Sequence, residues 1–154
     1  MFIMGKETPY FSHDYYSRTS DEMQVLIEDF GPAGYGIFWA LIEILHEEET
    51  HEIELTEIFF RSFAKQLSTS VEQVQQVVQS CVLYKLFLQT ENKITSNRVN
   101  RNIEMRAEIS ESRSKAGKAS AAKRALNKEN LTSVEHLSTD VQQNPTKEIG
   151  RAHV

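Results

Sequence analysis

Three prolines, six glycines and one cysteine are all that this 154-residue chain holds of the residues that punctuate or staple a fold. With Cys81 alone there is no disulfide framework, which fits a reducing, cytoplasmic setting. No apolar run approaches the roughly 20 residues needed to cross a bilayer. The opening stretch MFIMGKETPYF has no secretory apolar core, so neither export nor a membrane partner is expected. Aromatic residues are missing after Phe87: all eight Phe, five Tyr and the single Trp lie at or before it. Beyond residue 100 the chain has too little apolar surface to bury by itself.

Charge divides the chain in the same way. Residues 1–96 carry six Lys/Arg against fifteen Asp/Glu, a net −9. Residues 97–128 carry nine against three, a net +6. An acidic globule followed by a basic arm points to a polyanionic partner drawn mainly by the arm. The expected organisation is a folded domain at 8–98, a basic helical arm or linker at 99–128 and a polar disordered linker at 129–147. The last seven residues, EIGRAHV, match an in-frame translation of a widely used sequencing adapter. Residues 148–154 are therefore expected to be an artefactual tail, with the natural sequence cut near Lys147.

Local patterns supply the elements. Thr19 with Glu22 three residues on forms a capping box, followed by Met23, Leu26, Ile27 and Phe30 on one helical face. Gly31-Pro-Ala-Gly34 ends that helix, and residues 35–48 form a second, apolar nearly all round, which belongs at the centre of a domain. Ile53 and Leu55 alternate with Glu52 and Glu54 as a short strand. Thr56 caps a third helix whose inner stripe is Phe60, Phe63, Ala64 and Leu67. Ser68, Thr69 and Ser70 break it, and Ser70 caps a fourth helix lined by Val71, Val74, Val78 and Cys81. Leu86-Phe-Leu88 and Lys93-Ile-Thr95 flank a polar turn, which predicts a β-hairpin. The fold class is thus mainly α with a small β-hairpin wing: a winged helix-turn-helix followed by a basic helical or disordered arm.

Two stretches in this frame resemble a known family. Tyr10-Phe-Ser-His-Asp-Tyr-Tyr16, with Asp29-Phe-Gly-Pro-Ala-Gly-Tyr-Gly-Ile37 and Trp39-Ala-Leu-Ile-Glu43, resemble the N-terminal domain of phage replisome-organiser proteins. Those are DnaD-like, Lin-type winged-helix domains of phage and prophage replication proteins. Ser112-Arg-Ser-Lys-Ala-Gly-Lys118, continuing to Ala122-Lys-Arg124, resembles the basic linker that often follows. The resemblance covers roughly residues 8–124. It implies origin DNA binding and recruitment of replication proteins such as a helicase or its loader, the latter through a C-terminal region absent here. It carries over no assigned site residues.

The amide face of the fourth helix supplies the base-reading candidates. Gln73, Gln76 and Gln79 recur at i, i+3, i+6, and Gln pairs bidentately with adenine in the major groove. The plainer alternative is a solvated helix face, since Gln is a good helix former. Phosphate candidates are Lys65, Lys85 and Lys93 near that helix and Arg98, Arg101, Lys115, Lys118, Lys123 and Arg124 along the arm. The acidity of the globule counts against its own DNA affinity, which rests on Lys and Arg at physiological salt.

Catalytic patterns are not met. His46 and His51 are five apart, unlike the i, i+4 pair of a zinc helix, and His13-Asp14 lacks a third ligand. No Walker A loop or GxGxxG occurs. The expectation is a non-enzymatic protein without metal or cofactor, partnered by double-stranded origin DNA and open to self-association. The alternatives are a protein-interaction or oligomerisation module and a winged-helix transcriptional regulator.

Overall fold

The computed structural model describes residues 10–141, with side chains described as far as Val134. The chain divides into two compact units at Arg106 and Ala107. In the first, a 3-10 turn at Ser17–Thr19 leads into α1, Asp21–Glu47. Ser20, not Thr19, is the N-cap: its hydroxyl accepts from the Met23 amide at 3.3 Å. Thr19 closes the preceding turn instead, donating to the Tyr16 carbonyl at 2.9 Å. Asp21 and Glu22 in the first turn complement the helix dipole.

The first and second helices expected from the sequence run end to end across a sharp kink at the Gly31-Pro32 break where they were expected to part. Only Gly31 leaves the helical region, at φ 65° and ψ −156°, and Pro32 then opens the second half, where its missing N–H costs little. Gly34 makes that kink possible. A Cβ there would lie 2.7 Å from Phe30 Cβ and 3.2 Å from the Leu26 carbonyl oxygen, whereas Gly36 has open space around it. Joined across the kink, α1 is long and apolar enough to cross a membrane by length and composition. In this fold its apolar residues are the core: Leu26, Leu41, Ile42 and Leu45 are fully buried.

Two further helices follow: α2, Glu57–Gln66, packs on α3, Val71–Leu83, and α3 packs on α1. Thr56 and Ser70 cap them, accepting from the Phe59 and Gln73 amides, each at 3.1 Å. The inner stripe of α2 is Phe63 and Ala64 with half-buried Phe60. Leu67 falls outside it: the helix stops at Gln66, Ser68 turns left-handed (φ 54°), and Leu67 is left 37% exposed. On α3, Val77 joins Val74, Val78 and Cys81 inside, while Val71 is half-buried at the helix end.

Three short strands follow one antiparallel order, β1–β3–β2, from β1 (Ile53–Glu54), β2 (Leu88–Thr90) and β3 (Lys93–Thr95). Ile53 faces Ile94 in register, and both are buried. The hairpin begins at Leu88 rather than Leu86, because Phe87 is drawn into the core and stacks on Phe38 at 5.3 Å. Thus a mainly helical unit carries a small three-stranded sheet.

The last helix, α4, runs Asn97–Val141. Val99 is buried and Ile103 half-buried against the core, so the first unit closes at Arg106, not at residue 98. In the second unit, residues 107–141 are helical and every described side chain is exposed. The sequence left helix and disorder open for this arm and expected a disordered linker from residue 129. Helix instead continues through Gly117 and on to Val141. Between residues 118 and 141 there is neither Gly nor Pro, and Ala, Lys, Arg and Leu favour helix without needing an apolar face. Residues 142–147 of that linker, the tail at 148–154 and residues 8 and 9 lie outside the described residues.

The surroundings of the two glycines yield a paired expectation. Gly34→Ala should cost about 1–3 kcal/mol by overpacking the kink, while Gly36→Ala should gain up to about 1 kcal/mol of helix propensity. Denaturant unfolding of the two variants checks both signs.

Candidate nucleic-acid interface

The amide set on α3 divides once it is folded. Gln76 and Gln79 are exposed, but Gln73 is half-buried and its side-chain oxygen accepts from the Thr69 hydroxyl. The exposed stripe is therefore Glu72, Gln76, Gln79 and Leu83, at i, i+4, i+7 and i+11. Leu83 is 73% exposed. A carboxylate, two amides and an isobutyl group can read or dock, but they bring no positive charge.

Several cations of the first unit are already paired with carboxylates. Lys93 Nζ lies 3.1 Å from Glu52, and Arg61 lies 2.6 Å from Glu57. Both pairs are exposed, so they add little stability but do offset local charge. Lys65 is exposed in the last turn of α2 with no carboxylate partner among the described residues.

Arg98 is engaged more deeply. Its guanidinium sits 4.9 Å from the Trp39 ring centroid and 3.0 Å from the Asp14 carboxylate, with its side chain 22% exposed. The same indole stacks with His13 at 3.9 Å and Phe11 at 6.1 Å, and Phe11 stacks on His46 at 4.5 Å. Residues 11–14 thus form a strap that ties α1 to the start of α4. Arg98 is part of that tie, held by the indole face and by Asp14 on one edge of its guanidinium.

Beside the strap an open groove of about 860 Å³ brings Arg98 together with Lys85 and Arg101. Lys85 is placed there by the end of α3. It takes the left-handed position after the Tyr84 cap (φ 61°), and the Leu86 amide closes back on the Cys81 carbonyl at 2.8 Å. Nothing in the sequence signals this convergence, because Asp14, Lys85 and Arg101 are far apart along the chain. Ser96, which lines the same groove, was missed for that reason.

In the second unit Lys115 pairs with Glu111 at 2.7 Å. Lys118, Lys123 and Arg124, with Arg113, are exposed and have no carboxylate within ion-pair distance among the described residues. Arg113 and Arg124 are eleven residues apart, close to three turns, and so share a face.

The histidines do separate work. His51 Nδ1 lies 2.9 Å from the Leu45 carbonyl, and His46, in the last turn of α1, stacks on Phe11 of the strap. Burial holds the His46 pKa below the usual imidazole value, and the charges of Arg106, His51 and Arg98 push it the same way. Burial pushes the Cys81 thiol up to about 12, which leaves it without thiolate character near neutral pH.

A model of Lin1244/Lin1753-like N-terminal domains matches residues 10–99. That span takes in the strap, the kinked helix, the sheet and the first turn of α4. No curated protein and no solved structure gives a match.

His46 sets a pH dependence. The unfolded chain takes up this proton near pH 6.5 and the folded chain resists it, so stability is complete above about 6.5 and declines as pH falls below it. Melting curves from pH 7.5 to 5.5 should show the loss, and His46→Phe, which keeps the stack, should reduce it. For Cys81, a maleimide probe at pH 7.5 should label the native protein far more slowly than the denatured one.

Proposed function

Because the chain belongs to the Lin1244/Lin1753-like N-terminal family, a family of phage and prophage proteins, we propose that it is a DNA-binding module of a phage-type replication initiator or replisome organiser. In this reading the first unit is a winged helix: α2 and α3 form the helix-turn-helix, and β2 and β3 form the wing. The cationic stretch of α4 holds the phosphate backbone, and Gln76 and Gln79 on α3 read or sense the bases. Recruitment of helicase or its loader belongs to a C-terminal region.

One observation carries the DNA assignment. Lys118, Lys123 and Arg124 lie on an exposed helix with no carboxylate partner among the described residues, while the first unit spends cations on Glu52, Glu57 and Asp14. Phosphate neutralisation by such side chains supplies most affinity at physiological salt. A helix this polar all round calls for a solvated or charged partner along its length.

A second reading, a protein-interaction or oligomerisation module, draws on Ile58 and Leu83, which are 81% and 73% exposed. Ile58→Gln should leave DNA affinity unchanged on the first reading. On the second it should shift a sedimentation equilibrium towards monomer.

The deciding experiment is a salt series of duplex binding by fluorescence anisotropy with the Lys118→Glu, Lys123→Glu, Arg124→Glu triple variant. Binding to all sequences should weaken, and the slope of log K against log salt should fall by about 0.9 for each phosphate no longer neutralised. An unchanged slope would remove these residues from the interface. Gln76→Ala should change sequence preference and leave the slope alone; an untouched preference would make the α3 amides a solvated face.

A further inference from the structure

The groove beside the strap has features that the DNA reading does not use. Ser96 lines it, is 1% exposed, and has a hydroxyl with no hydrogen-bond partner. A buried hydroxyl left unsatisfied costs about 1–3 kcal/mol, so a water or a ligand in the groove is its natural partner. Ser96 also stands immediately before Asn97, and its carbonyl accepts the Asn100 amide at 3.0 Å, which opens α4. The first turn of that helix, with the positive end of its dipole, therefore borders the same groove, which Asn97 and Arg98 also line.

Lys85, Arg98 and Arg101 line this groove against one carboxylate, Asp14, which sits on one edge of the Arg98 guanidinium. Three cations, a helix N-terminus and an unpartnered hydroxyl form a cradle for an oxyanion. The groove is larger than an inorganic ion needs. At about 860 Å³ it falls within the range that holds a small organic ligand. Tyr15, 92% exposed, stands in its wall and brings an aromatic ring to the groove. Phosphate next to an aromatic platform is the chemistry of a nucleotide.

We propose that the groove formed by Ser96, Lys85, Arg98, Arg101 and Tyr15 binds the phosphate of a nucleotide, with the base against Tyr15. The source is either a free mononucleotide or the 5′-phosphorylated end of a single strand. Asp14 competes for Arg98, and its carboxylate, 70% exposed, can swing away when phosphate arrives. The choice of a nucleic-acid ligand rests on the function proposed above; anion binding in the groove does not.

The test uses the full chain and a fluorescent hexathymidylate in 5′-phosphorylated and 5′-hydroxyl forms, with thymidine monophosphate as competitor. The phosphorylated form should bind about tenfold more tightly, a difference of about 1.4 kcal/mol. Ser96→Ala and Lys85→Ala should each erase that contrast, and Asp14→Asn should widen it. Ser96→Ala removes no intramolecular hydrogen bond and relieves an unpaired hydroxyl, so its melting temperature should not fall and a loss of binding cannot be ascribed to unfolding. Competition by the mononucleotide supports the free ligand as the source, and its failure beside a clear 5′-phosphate contrast supports the strand end. Equal affinity for the two oligonucleotides without competition overturns the site, as does a contrast that survives both alanine variants. If the α4 triple variant keeps duplex binding while the 5′-phosphate contrast persists, only the backbone-holding role of α4 fails.

Discussion

The indole of Trp39 is where the first unit is tied together. It is 8% exposed, and Phe11, His13, Tyr35, Phe38 and Arg98 all meet it. Three separate stretches of chain converge on one rigid ring: the strap before α1, the second half of α1, and the first turn of α4. The interactions differ in kind, with stacked rings, edge-on rings and a cation over the π-face. The ring fixes the strap, and the strap walls the groove. Without it, Asp14 and Tyr15 would have no defined place beside Lys85 and Arg101.

The kink in α1 serves the same arrangement. A straight helix would carry the residues after Gly31 along the direction set by Met23 and Leu26. With Gly31 in the left-handed region and Gly34 packed against Phe30, the chain redirects within a single residue. Leu41, Ile42 and Leu45 then meet the valines of α3 in one core, while Trp39 turns to the strap. The Phe-Gly-Pro-Ala-Gly-Tyr-Gly stretch thus owes its composition to a change of direction, with Tyr35 packing edge-on to Trp39. Gly36 has no such duty.

Periodicity and caps made the helices and the hairpin legible in the sequence. Thr56 and Ser70 cap as their spacing implies, and Ile53 and Ile94 alternate into the core. What could not be read depends on distance along the chain. Ser20 displaced Thr19 because the 3-10 turn before it consumed the threonine hydroxyl. Leu67 left the inner stripe because the turn at Ser68 ended the helix first. The amide stripe lost Gln73 to Thr69, a local bond that a helical wheel does not register. Among the cations, position along the chain treats Arg98 and Lys118 alike. Folding commits the first to Trp39 and Asp14 and leaves the second exposed, and only tertiary structure separates them. Net charge per segment was informative about the arm, but silent on the groove.

Lys85 illustrates a conflict between folding and use. Its backbone lies at φ 61°, where a side chain costs about 1 kcal/mol relative to glycine. The α3 terminus would close more comfortably around a glycine, yet that residue would carry no amine into the groove. Lineages selected for thermal robustness alone should drift towards glycine here, and those selected for ligand affinity should keep a strained lysine. The position therefore records which of the two pressures has dominated.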